Sequence, residues 1–340
     1  MNDRRLAEIE TFLSHCGWRD AARAPLAGDA SARRYWRLRR GPERAVLMDA
    51  DPARGESVDR FLRIGRWLLE RGYSAPAVFA EDAARGFLLL EDLGDDLVAR
   101  LVAGDRRREG RLYRAITGFL ADLHHHAPPD FLGAGDGAAL AELVELTPKW
   151  YLPGIDADPN AAATRIAPLV AGLYAALNDA APVLSTRDFH AENLIWLPRR
   201  SGAARIGLLD FQDAFATHPA YDLVSLLQDA RRDVSAAVEV ECVHHYCALK
   251  ALSQSRFSAI YALLGAQRAL RLIGVFARLS MHFGKPHYLG YAPRVWGYLE
   301  RNLAHPALAE LRDVVREGLP APTTEGLQRI AEKCGTYPQP

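Results

Sequence analysis

The sequence predicts an α+β protein of two lobes, a small antiparallel β lobe over residues 1–94 and a larger, mainly helical lobe over residues 95–340. Three observations predict it. The first ~95 residues carry five short apolar runs interrupted by a single long stretch with helical spacing. Nearly everything after them repeats its apolar residues at helical spacing. Two short apolar strands, Val183-Leu184-Ser185 and Ile206-Gly207-Leu208-Leu209, break that helical pattern, and polar residues follow them at Asp188, Asn193 and Asp210.

The elements follow in order. Leu6, Ile9, Phe12, Leu13 and Cys16 mark an amphipathic first helix over 4–16 that Gly17 ends. Residues 24–38 read as strand, tight loop and strand, with Ala27, Gly28, Asp29, Ala30, Ser31 and Ala32 between them. Such small residues let backbone N–H groups approach a phosphate chain, although a plain hairpin turn has the same look. Residues 45–48 form a third strand, and 57–71 form the long helix of this lobe. Val78-Phe79 and 86–90 are the last two strands, and Glu91-Asp92-Leu93-Gly94 breaks the pattern as a hinge. Helices are expected over about 96–103, 107–126, 137–151 and 161–179, and again over 220–231, 235–252, 254–282, 289–302 and 305–317. The glycine-rich stretch 133–137 has no strand before it and reads as a flexible linker, not a nucleotide loop.

Composition narrows the function. Lys plus Arg equals Asp plus Glu at 42 each, so a broad non-specific nucleic-acid surface is not expected. The four cysteines have no disulfide spacing, the N-terminus has no apolar signal core, and no apolar run looks long enough to span a membrane. A cytoplasmic protein is expected, with no membrane partner. Oligomeric state is not legible.

Asp188, Asn193 and Asp210 carry the chemistry. A carboxylate in the loop after the first strand can accept the proton of an attacking hydroxyl. An amide oxygen five residues on and a carboxylate ending the next strand are hard oxygen donors suited to magnesium. Phosphoryl transfer needs an aligned nucleophile and neutralised phosphate charge, and this set supplies both. The plain alternative is three turn-forming polar residues. The β-rich lobe and hinge upstream favour a kinase-like reading.

T-R-D-F-H-A-E-N-L, L-L-D-F-Q-D-A and A-Y-D-L-V-S-L-L resemble the aminoglycoside phosphotransferase/choline kinase-like superfamily. Within it, the chain resembles the bacterial anomeric sugar kinases that act on N-acetylmuramate and N-acetylglucosamine in cell-wall recycling. L-A-G-D-A-S-A-R-R-Y, L-L-L-E-D-L-G-D, P-K-W-Y-L, A-Q-R-A-L-R-L-I-G-V-F-A-R-L and P-R-V-W-G-Y-L extend the likeness to about residue 302. The resemblance implies a bilobal protein kinase-like fold and ATP-dependent transfer, with ATP and Mg2+ as cofactors and a sugar or amino sugar as acceptor. It makes Asp188 the base and Asn193 and Asp210 the metal ligands. Leu90, Glu91 and Leu93 line the nucleotide site, and Asp222 steadies the catalytic loop.

Two positions depart from the pattern. Thr186 stands where the superfamily usually has a structural His. Met48, followed by Asp49, stands where a phosphate-binding Lys is usual, so either Arg33 or Arg34 takes that charge, alongside Gly28, Asp29 and Ser31, or the protein is a weak or inactive kinase. Trp150, Tyr151, Gln212 and Asp213 are candidate acceptor residues, Trp150 being equally a core residue. Lys149, Arg231 and Arg232 are candidates for an acceptor carboxylate, while Arg271 and Arg278 read as surface or salt-bridged. His124-His125-His126 fan around a helix end and read as core or cap residues. Two alternatives stay open: a kinase for an aminoglycoside, choline or homoserine, or a pseudokinase binding module.

Overall fold

The computed structural model describes residues 3–26 and 33–338. Two compact units emerge, one from residues 1–106 with 191–213 and the other from 107–190 with 214–340. The chain therefore passes between them after residues 106, 190 and 213.

The first unit is built on a five-stranded antiparallel sheet of order β1-β2-β3-β5-β4. Its strands are β1 (Ala22–Leu26), β2 (Arg34–Arg40), β3 (Glu43–Asp49), β4 (Val78–Asp82) and β5 (Phe87–Glu91). Strand β3 lies between β2 and β5, with Met48 opposite Tyr35 on one side and Leu88 on the other. Helix α1 (Asp3–His15) covers one face of this sheet. Its Ile9, Phe12 and Leu13 join Leu38, Leu47, Phe87 and Leu89 in one apolar cluster. Each such buried side chain contributes about 1.5–3 kcal/mol. Helix α2 (Asp59–Glu70) buries Phe61, Leu62, Ile64, Trp67 and Leu68 at helical spacing. Helix α3 (Val98–Gly104) and the short ribbon of β7 (Leu194–Trp196) and β8 (Ile206–Leu208) complete the unit. Trp196 N donates to Asp96 O and Leu208 N to Ser74 O, which ties the ribbon to the unit on both edges.

The second unit is helical except for β6 (Val183–Ser185) paired with β9 (Phe215–Thr217). Its helices are α4 (Glu109–Leu123), α5 (Gly137–Val144), the single turn α6 (Leu152–Gly154), α7 (Ala161–Leu177), α8 (Ala220–Leu227), α9 (Ala236–Leu249), α10 (Gln254–Met281), α11 (Ala292–Leu303), α12 (Ala309–Gly318) and α13 (Thr324–Glu332). The expected 137–151 helix is divided. It stops at Val144, and Thr147–Tyr151 form a π turn around Pro148. Helix α10 explains why. Gly274 brings it so close to the backbone of Leu146 and Thr147 that a Cβ there would lie 2.3 Å from Leu146 C. Thr147 Oγ1 also donates to Leu270 O, across the same contact.

Helix α10 also corrects the reading that no apolar run has membrane-spanning length. It is long and apolar enough by length and composition, but 89% of its apolar window is buried in the protein, as befits the central helix of this unit. The 133–137 stretch is no flexible linker either. Gly135 N donates to Ala216 O and Ala216 N to Gly133 O, so it forms a third rung beside β9. A Cβ on Gly135 would strike the Phe215 ring at 2.0 Å, so the position admits only glycine.

Three buried histidines of this unit stay neutral. Burial, with Lys250 nearby, pulls His124 down to about 3, and burial, with Arg231 nearby, pulls His190 down to about 4. Burial also lowers His218 to about 4, against the opposing pull of Asp179. His124 ends α4 and bonds Tyr246 Oη through Nδ1 at 2.7 Å, the core and cap role its sequence position suggested. Folded values below the unfolded ~6.5 give stability that is complete above that pH and lost as pH falls toward about 4. Each histidine then contributes a slope of about 1.4 kcal/mol per pH unit in that window. His124→Asn should flatten the dependence of unfolding free energy on pH by up to one such increment, read by urea titrations across the window. An unchanged slope would contradict the assignment.

Candidate active site

The loop after β6 carries Asp188 and is fixed by the side chain of Asp222. That carboxylate, buried in α8, accepts from Ser185 Oγ at 2.6 Å, Thr186 N at 2.8 Å and Arg187 N at 3.2 Å. Burial pushes its carboxyl up to about 6, against the opposing effect of these donors. Thr186 contributes its backbone here, so the side chain at that position is free to differ from the usual histidine. Arg187 then adopts φ +71°, a conformation non-glycine residues rarely take, and Phe189 stacks on Phe119 of α4 at 6.0 Å. Two anchors on either side of Asp188 thus leave its carboxylate little freedom.

Arg268 and Arg271 of α10 face that carboxylate. Arg268 Nη2 lies 3.6 Å from Asp188 Oδ1, and its Nη1 donates to Arg187 O at 3.0 Å. Arg271 Nη1 reaches Tyr221 Oη at 3.2 Å. Burial alone would raise the Asp188 carboxyl, but Arg271 and Arg268, with smaller effects from His190 and Arg187, hold it well below the usual carboxylate range. The charges around it thus favour the ionised form of Asp188. Arg231 Nη1 donates to His190 Nε2 at 3.0 Å, consistent with the neutral ring. Arg271, expected at the surface or in a salt bridge, is 7% exposed, so the surface alternative fails, and its charge acts on Asp188.

Asn193 and Asp210 belong to the first unit and flank its β7/β8 ribbon. Leu209 N donates to Asn193 O at 2.9 Å, which binds the two ends of the ribbon together. Asp210 takes φ +55° immediately after β8, and Gln212 Nε2 donates to its Oδ1 at 2.7 Å. Helix α2 holds this turn. Phe61 stacks on Phe211 at 4.8 Å, and Arg60 Nε donates to Gln212 O at 2.9 Å. An amide oxygen and a solvent-facing carboxylate on a fixed turn fit a hard divalent cation such as magnesium.

The same unit holds the expected nucleotide residues. Gly28, Asp29 and Ser31 lie outside the described residues. Met48 is buried in β3, and the neighbouring Asp49 accepts from Arg5 Nε at 3.0 Å, so neither offers charge to a phosphate. Arg33 does carry charge here. Its Nε binds Glu56 Oε2 at 2.9 Å, just before α2. Arg34 opens β2 opposite Asp49. Tyr35 lies within electrostatic range of both Arg33 and Asp210, and burial pushes its hydroxyl up to about 12. Leu90 and Leu93 are buried, and the Glu91 side chain is ion-paired with Arg200. Arg37 spans Asp92 and Asp95, at 2.7 Å to each, and so fixes the 92–95 turn.

Of the acceptor candidates, Trp150 and Tyr151 are engaged in packing. Trp150 is 4% exposed between His282 and Tyr337, and Tyr151 Oη donates to Pro320 O at 2.9 Å. Gln212 orients Asp210, while Asp213 is exposed. Sequence reasoning missed Glu56 and Arg268, and it named Arg271 and Arg278 without a role at the site. Glu56 gave no signal because its partner is 23 residues away. Arg268, Arg271 and Arg278 share one helical face, and that spacing was the available sign.

The model of the phosphotransferase enzyme family matches residues 23–257, well over half of the chain. The chain belongs to that family. It is 40% identical to the N-acetylmuramate/N-acetylglucosamine kinase of Caulobacter vibrioides, over 92% of this chain and 96% of that protein. It is 31% identical to the Pseudomonas aeruginosa protein of the same name, over 92% and 97%. Among solved structures it is similar to a choline/ethanolamine kinase family protein from Mesorhizobium loti, with TM-score 0.62, 15% identity and coverage of 92% and 100%. It is also similar to ADP-bound aminoglycoside phosphotransferase APH(2'')-Ib, with TM-score 0.58, 15% identity and coverage of 98% and 99%. These two likenesses bear out the bilobal kinase-like fold. The chain is thus a phosphotransferase, with a kinase as its relative along nearly its whole length.

In this phosphotransferase, Arg33→Ala should raise the KM for ATP roughly 10-fold or more with a smaller change in kcat, as expected for loss of a charge-assisted phosphate contact. Glu56→Gln should give a weaker effect in the same direction. Unchanged ATP kinetics in Arg33→Ala would mean that another group replaces the missing lysine.

Proposed function

We propose that this phosphotransferase transfers the γ-phosphate of ATP to the anomeric hydroxyl of N-acetylmuramate or N-acetylglucosamine, as part of cell-wall recycling. The observation that carries the reading is the 40% identity to a kinase of that name across 92% of the chain. The charge around Asp188 also supports it. A base flanked by Arg268 and Arg271 would repel choline or an aminoglycoside, both cations, and suits a neutral or anionic acceptor. In this reading residues 1–94 are the nucleotide-binding lobe, and the chain after them supplies the metal ligands, from the stretch 191–213 that belongs to the first unit, and the base and acceptor site, mainly from the helical unit.

Asp188 orients the attacking hydroxyl and takes its proton as the bond to the γ-phosphorus forms and the bond from that phosphorus to the β-phosphate oxygen breaks, releasing ADP. A carboxylate held in its charged form by two guanidiniums serves mainly to align the hydroxyl, with proton transfer late, as suits a loose transition state. Asn193 and Asp210 would hold magnesium, which would supply neutralisation of the phosphate charge. Arg33, set by Glu56, takes phosphate charge where Met48 cannot, and Leu90, Glu91 and Leu93 flank the adenine. Gln212 keeps Asp210 in its ligating pose, with Asp213 beside it at the acceptor side of the turn.

An ADP-release assay should show turnover of both amino sugars and none of choline or an aminoglycoside, with phosphorus–carbon coupling in NMR placing the phosphate at C1. Asp188→Asn should lower kcat roughly 10²- to 10⁴-fold with little change in either KM. Full activity in that variant would refute the assignment, and turnover of the cations in place of the sugars would refute the acceptor.

A further inference from the structure

Arg278 is the arginine of the α10 stripe that has no counter-charge among the described residues. It is half-buried, and its Nε is buried without a hydrogen-bond partner among the described residues. The charges that bear on it are Arg271 and Arg187, both positive, and together with burial they lower its pKa. A guanidinium partly removed from water beside two like charges is costly unless an anion completes it. Arg271 lies two helical turns away on the same face, seven residues before Arg278. Arg271 also bears directly on Asp188, so the stripe runs from the base outward along α10 within the helical unit.

We propose that Arg278 and Arg271, with Arg187 beside them, form an anion subsite that takes the carboxylate of the acceptor. The proposal rests on the sugar-kinase reading and refines it. N-acetylmuramate and N-acetylglucosamine differ by a lactyl ether, whose carboxylate is the only charge on either sugar. Guanidinium forks match a carboxylate in two parallel hydrogen bonds. The subsite would thus serve one acceptor and be idle for the other.

Steady-state kinetics on the full-length enzyme with both sugars tests this. Arg278→Gln should lower kcat/KM for N-acetylmuramate roughly 10- to 100-fold, the range for one charge-assisted contact, and change it less than about 2-fold for N-acetylglucosamine. Arg278→Lys should recover part of the loss. An equal fall for both sugars would overturn the proposal and assign the arginines to the transferred phosphate, and no fall for either would overturn it as well. Should Arg278→Gln fail to fold, wild-type enzyme with the methyl ester of N-acetylmuramate gives the same answer. The ester should show the same loss, and equal turnover of acid and ester would contradict the subsite. Failure of the underlying reading looks different, since wild-type enzyme would then phosphorylate neither sugar.

Discussion

A carboxylate taken partly out of water must be kept charged, and for Asp188, the proposed base, that task falls to the Arg268–Asp188–Arg271 arrangement. Much of the helical unit serves it. The central position of α10 brings two guanidiniums to the loop, Gly274 lets the π turn settle against that helix, and Asp222 fixes the loop backbone on which Asp188 is carried. The cost is a concentration of positive charge around one aspartate. In the proposed function that same charge favours a neutral or anionic acceptor over a cation.

The sheet unit meets a different constraint. A kinase-like lobe needs a cation for phosphate, yet β3 offers only Met48, and its neighbour Asp49 is committed to Arg5 of α1. The ion pair of Arg33 and Glu56 places a fixed guanidinium at the start of β2 and ties it to the segment that leads into α2. Because α2 also clamps the Asp210–Gln212 turn through Phe61 and Arg60, one helix neighbours both Arg33, the proposed phosphate cation, and Asp210, the proposed metal ligand.

The elements were largely legible because each carries its own local pattern. The strands over 45–48 and 86–90 and the helix over 57–71 emerge within a few residues of where apolar periodicity put them. The failures arose where distant chain decides the outcome. The break after Val144 depends on a glycine 130 residues later, and the order of residues 133–137 depends on β9. Likewise, Asp188, Asn193 and Asp210 stood out by type and spacing, whereas Arg271 read only as surface or salt-bridged and Arg268 did not stand out. Only packing reveals that their face of α10 turns inward. Trp150 shows the converse, since an aromatic next to Lys149 reads equally as ligand or core, and its burial with His282 and Tyr337 fits the latter.

The most direct test of the account is the pH profile of kcat in wild-type enzyme and in Arg271→Gln, with N-acetylglucosamine as acceptor so that no acceptor carboxylate intervenes. Depression of the Asp188 carboxyl places its ionisation far below neutrality, so wild-type kcat should show no acid limb from this group over the range in which the fold persists. Removing Arg271 leaves burial less opposed, so an acid limb should appear and move toward neutral pH. Superimposable profiles for the two proteins would contradict the claim that the arginines keep the catalytic aspartate charged.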